Sequence, residues 1–308
     1  MEKAIEPWGV NVPYIILGLL YWLLGGIFLY TNLQFHPYFM MIGSYSIFFG
    51  MISRLFFPAR KYLPLHLTSL ILLAIPFYPF QALASASLLA TEIWGIKDIR
   101  SYGGRFPINT LVLSSPIISL IVWSIFPYNY TLLIVGLMLY LLGINIGVFT
   151  ATLNAKPKFG ITQLPIFMLI FMLIFIQKLL FIVILGYIIW LFIGSKGVKI
   201  NASALSVIIV ALAVSLSYYF LGEFTHAFAF GIMLPFFFSC ITYSTSRYNY
   251  SKVYPIPYLS ALAYFFRFIY FTISPIFTII SILYFIYLFK DNISIETIKL
   301  GMSSKYLH

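Results

Sequence analysis

Apolar residues in this chain come in unbroken runs of roughly 18 or more, without the alternation of a half-buried strand. Runs of that length are what an α-helix needs to cross the hydrocarbon core of a bilayer. An open sheet is excluded there, because its edge N–H and C=O groups would stay unpaired in lipid. The fold class expected is therefore all-α, a polytopic membrane bundle. Composition agrees: the 308 residues are 62% hydrophobic and 8% charged, against about 25% charged in an ordinary soluble domain.

Turn signals divide the runs. The expected helices are about 13–32, 36–57, 63–79, 80–96, 107–126, 130–153, 161–177, 178–194, 202–221, 226–246, 254–271 and 273–289. "PFYPF" separates the third from the fourth, and "PYNY" the fifth from the sixth. Read as one helix, 161–194 would be about 50 Å long, against a hydrocarbon core of about 30 Å. It is split at "QK", 177–178, and the run 254–289 is split at "TISP". About twelve transmembrane helices result, in a single transmembrane domain over 1–308, with little chain left for loops or a soluble domain.

The formal charge of +11 points to membrane orientation rather than to nucleic acid, because the cations sit in short loops between the runs. With twelve spans and both termini inside, the inner side collects Lys3, Arg54, Arg60, Lys61, Lys97, Arg100, Arg105, Lys156, Lys158, Lys196, Lys199, Arg247, Lys252, Lys290, Lys299 and Lys305. Only Lys178 and Arg267 fall on or toward the outside. An unsplit 161–194 would invert everything after it. Near the N-terminus, Glu2 and Glu6 flank Lys3, and the basic region and cleavage site of a removed signal peptide are not apparent. The one cysteine, Cys240, rules out an intrachain disulfide and a cysteine metal cluster.

Four histidines remain for chemistry. His36 opens the second helix and His226 the tenth, both on the expected outer side; His66 lies near the inner start of the third and His308 ends the chain. An imidazole has one nitrogen able to bind a metal, and two on facing helices can hold a haem iron from both sides. The competing reading is an interfacial histidine that meets headgroups and water. His36 immediately before Pro37 also suits a helix start.

"HPYFMMIGSYSIFFGMISR" (36–54) and "HAFAFGIMLPFFFSCITYSTSR" (226–247) each run from an outer histidine to an inner arginine. With twelve helices, this resembles the layout of the haem-copper oxidase catalytic subunit, and the two segments are similar to helices of the NnrS family. The resemblance implies that His36 and His226 are the axial ligands of one low-spin haem b. The sixth and seventh helices carry no histidine, so it implies no oxygen-reducing centre. It further implies an electron-carrying subunit of the cell membrane. Its partners would be an outer haem or other redox subunit and a quinone or terminal oxidase. The hydrophobic subunit of an archaeal b-type cytochrome is a more specific expectation.

Arg267, toward the outer end of "YLSALAYFFRFIYF", would pair with a haem propionate or snorkel to headgroups. Gly18, Gly25, Gly26, Gly43 and Gly50 would leave room for a flat cofactor or let helices pack closely. Glu223, three residues before His226, would cap its helix or hold its other nitrogen, with capping preferred. Glu92 is the only carboxylate expected inside a span, which argues against a proton pump. Two other functions fit the helix count: a permease for a lipophilic solute, and a membrane anchor without a cofactor.

Overall fold

The computed structural model describes residues 8–99 and 109–301. Every regular element among them is helical. Six helices are long and apolar enough to cross a membrane: Asn11–Thr31, His36–Phe56, Tyr130–Leu153, Ala202–Leu221, Phe224–Thr245 and Phe271–Asn292. Lys3, Arg100, Arg105, Lys305 and His308, on which part of the orientation argument rests, lie outside the described residues, as do both termini.

The apolar runs and the helices follow each other closely. The first are α1 (Asn11–Thr31), α2 (His36–Phe56), α3 (Leu63–Leu73) and α4 (Tyr78–Gly95). After them come α5 (Thr110–Ile125), α6 (Tyr130–Leu153), α7 (Leu164–Met172), α8 (Leu180–Phe192) and α9 (Ala202–Leu221). The C-terminal set is α10 (Phe224–Phe228), α11 (Leu234–Thr245), α12 (Pro255–Ile269), α13 (Ser274–Phe289) and α14 (Ile295–Leu300). Breaks fall where turn chemistry puts them. Pro64, Pro79, Pro165, Pro257 and Pro275 all stand in first turns, where the missing N–H costs nothing. The stretch 161–194 is two helices, α7 and α8, and the stretch 254–289 breaks at Tyr270.

Two compact units emerge. The first holds the described residues of Met1–Phe106, Leu113–Leu137 and Asn292–His308; the second holds those of Pro107–Val112 and Met138–Asp291.

In the first unit α1 and α2 cross at glycines. A Cβ on Gly18 would come 2.7 Å from the Gly43 carbonyl, and a Cβ on Gly43 would come 2.7 Å from the Gly18 carbonyl. These glycines are filled by the neighbouring helix, so close packing, and not cofactor room, is their role here. Only Gly26 of the five faces open space. Tyrosine hydroxyls fasten the other helices to backbone carbonyls. Tyr14 donates to His66 (2.6 Å) and Tyr21 to Leu73 (2.8 Å), tying α1 to α3. Tyr45 on α2 donates to Leu133 at 2.9 Å, and its ring lies edge-on to Trp123 at 5.2 Å. Such tyrosines bury a large apolar ring while meeting the one polar need it carries.

The second unit uses the same device. Tyr187 on α8 donates to Leu142 on α6 at 2.6 Å. Asn145, fully buried on α6, donates to Leu141 (2.9 Å) and across to Phe236 (3.3 Å). Phe238 and Phe285 stack at 4.0 Å with planes 9° apart, joining α11 to α13.

Between α10 and α11 the helix widens into a π turn, Ala229–Met233. Pro235 accounts for it. Its ring has no N–H for the carbonyl four residues back and would crowd that carbonyl in a regular helix. The extra residue of a π turn relieves both problems.

Candidate functional site

His36 is the first residue of α2, and Pro37 occupies the first turn beside it. Its side chain does not cap the helix. Its Nδ1 lies 2.8 Å from the Gly25 carbonyl on α1. A carbonyl only accepts, so Nδ1 carries the proton, and Nε2 is the basic nitrogen of the ring.

His226 lies in α10, just after the turn that leaves α9. That turn is built of two left-handed residues, Gly222 (φ 87°) and Glu223 (φ 61°). Glycine takes this conformation freely, whereas a residue with a Cβ pays about 1–2 kcal/mol. Tyr264 pins the turn by donating to the Gly222 carbonyl at 2.8 Å. Glu223 occupies the N-cap position but makes no capping hydrogen bond, which corrects the preference for a cap. Its Oε2 instead lies 3.1 Å from His226 Nδ1 and 2.6 Å from Arg267 Nε. The reason is electrostatic. Arg267, on the last turn of α12, has a side chain only 15% exposed, and a cation in apolar surroundings needs a counter-charge more than a neutral N–H needs a cap. The same guanidinium lies over the Phe271 ring at 5.0 Å. The His226 ring stacks on Phe230 at 6.1 Å.

The structure thus brings Glu223, His226 and Arg267 together in the second unit, while His36 belongs to the first. Arg267, expected to meet a propionate or to snorkel, takes Glu223 as its ion-pair partner. Tyr264, which shapes the turn, was not legible: nothing in the sequence distinguishes it from the many other tyrosines.

Both imidazoles have the same wiring, an acceptor behind Nδ1. That is the arrangement a metal-ligating histidine needs, because the second bond fixes tautomer and ring orientation. The donor chemistry of each imidazole, taken by itself, suits ligation of a metal through Nε2. Among the described residues no group of three or more His, Cys, Asp and Glu side chains is placed to hold a metal ion by itself.

The remaining candidates divide. Lys178 lies over the Tyr219 ring at 5.4 Å. Cys240 is a buried free thiol. His66 is buried on α3, 5.7 Å from the Trp8 ring and 6.2 Å from the Tyr62 ring, and neither of its ring nitrogens has a hydrogen-bond partner among the described residues. Glu92 on α4 is also buried, with Oε2 unbonded.

Comparison with models of known protein families, with curated proteins and with solved structures finds no match to this chain.

Proposed function

We propose that the chain is a membrane-integral haem b subunit with one bis-histidine haem held by His36 and His226. In this reading about twelve helices cross the cell membrane, with both termini inside. The subunit carries electrons between a redox partner on the outer side and a quinone or terminal oxidase. When bound, a haem with both axial positions closed supplies a one-electron carrier rather than a gas-binding centre. The observation that carries the reading is the shared state of the two imidazoles. Each has Nδ1 committed to an acceptor, at 2.8 Å and 3.1 Å, which makes Nε2 the basic nitrogen. Arg267 gives Nε to Glu223, and its terminal nitrogens are the donors this reading assigns to a haem propionate.

The test is optical. The protein is purified in detergent after expression with haem supplied, and its dithionite-reduced minus oxidised spectrum is recorded. Sharp b-type bands are expected, and His36→Ala or His226→Ala should each abolish them. A flat spectrum from folded wild-type protein would sink the proposal.

A permease reading is favoured by one observation, the π turn that interrupts Phe224–Thr245 beside Pro235. Interrupted helices often line the substrate sites of transporters. Uptake of a lipophilic solute by haem-free proteoliposomes would select it.

A further inference from the structure

Two features set Glu223 apart from an ordinary helix-capping acid. Its backbone is left-handed although Gly222 already supplies the turn, and its carboxylate bypasses the cap it is placed to make. Both make sense if the side chain is needed elsewhere. A single oxygen, Oε2, receives His226 Nδ1–H at 3.1 Å and Arg267 Nε–H at 2.6 Å. Arg267 cannot accept a hydrogen bond, so it forces an acceptor onto that point, and the acceptor in turn forces the proton of His226 onto Nδ1. His36 differs: its Nδ1 is backed by the neutral Gly25 carbonyl. The two imidazoles are therefore unequal, one supported by a peptide dipole and one by an anion.

We infer that Glu223, clamped by Arg267, is a positioning residue that fixes His226 as an Nε2 ligand and makes it the more electron-donating of the two. This rests on the haem reading for its second half only. A carboxylate behind an imidazole raises the basicity of the ligating nitrogen, which favours the oxidised iron and lowers its midpoint potential. Arg267 keeps the carboxylate in place and offsets part of its charge.

Two substitutions separate position from charge. In Glu223→Gln the amide oxygen must face Arg267, because the amide nitrogen cannot accept from a guanidinium. An acceptor therefore remains at the Oε2 point, but the negative charge is gone. Glu223→Ala removes both. The first measurement uses the full-length, haem-free protein labelled with 15N-histidine in detergent, with His226→Gln identifying the His226 signals among four histidines. Proton–nitrogen correlation spectra should show His226 as the Nδ1–H tautomer in wild type and in E223Q, and shifted toward Nε2–H in E223A. The second is a redox titration of the haem-loaded protein, in which E223Q should raise the midpoint potential. An Nε2–H tautomer in wild type, or an E223A spectrum identical to wild type, overturns the positioning role. An unchanged potential in E223Q overturns the tuning. If E223A does not fold, the E223Q potential and the wild-type tautomer decide. If wild type takes up no haem, the electron-carrier reading falls while the tautomer result still decides the positioning role.

Discussion

Glycines that look alike in the sequence do different things, and the difference is measurable. Gly18 stands where a Cβ would meet the Ile47 side chain at 2.5 Å and the Gly43 carbonyl at 2.7 Å. The side chain can move, but the backbone carbonyl cannot without parting α1 from α2. Gly18→Ala should therefore cost about 1–3 kcal/mol, the usual penalty for overpacking. Gly26, on the same helix, has nothing within 4 Å, and Gly26→Ala should be neutral or slightly stabilising, since alanine holds a helix better than glycine. Thermal unfolding in detergent, followed by helical circular dichroism, would show a lowered midpoint for the first and none for the second. The same limit applied to the site. Two histidines, an arginine and a glutamate were visible as residue types, and three-residue spacing placed Glu223 near His226. That one carboxylate oxygen would serve both His226 and Arg267 depends on where α12 returns beside the α9–α10 turn, and local sequence does not encode that.

Helix bounds were the most legible feature. They follow from backbone chemistry that acts within a turn: prolines that open helices, and runs too long to be one span. The π turn at Ala229–Met233 was not legible, because Pro235 could equally have produced a kink or a helix end. Its effect is specific. The π turn adds one residue between His226 and α11, and a regular helix advances about 100° per residue. Pro235→Ala restores the N–H and removes the reason for the bulge. A helix that then regularises turns His226 by roughly that angle relative to α11. On the haem proposal, the variant should keep its helical content and lose bound haem, which a haem-to-protein ratio beside a circular dichroism spectrum would check. Retained haem at full occupancy would show that the π turn does not set the orientation of His226.

For the whole molecule, hydropathy gave the all-helical architecture and charge an expected orientation, and six helices are long and apolar enough to cross a membrane. The six other expected spans, α3, α4, α5, α7, α8 and α12, decide how many times the chain crosses. The prediction is made for sidedness. In a Cys240→Ser background, Lys178→Cys should react with a membrane-impermeant maleimide on intact cells. Lys196→Cys and Lys252→Cys should react only after permeabilisation. Equal labelling of Lys178→Cys and Lys196→Cys from outside would mean that α7 and α8 do not form a hairpin with its tip outward. Assignment of the two compact units lay beyond sequence reading, since the division falls inside α5 and α6 and no change of composition marks it.

The short helices have a consequence for the lipid itself. α3 has 11 residues and α8 has 13, so their α-helical parts reach about 17 and 20 Å, under a hydrocarbon thickness of about 30 Å even with the 3-10 turn that opens each. Their outward faces are nonetheless oily: Ile71 is 62% exposed and Ile189 60%. On the twelve-span proposal, acyl chains in contact with those faces would have to shorten, by tilting or disordering, to keep their headgroups level with the helix ends. The protein would then carry a dimpled collar of lipid, and thin, short-chained bilayers would suit it better than stiff, sterol-thickened ones.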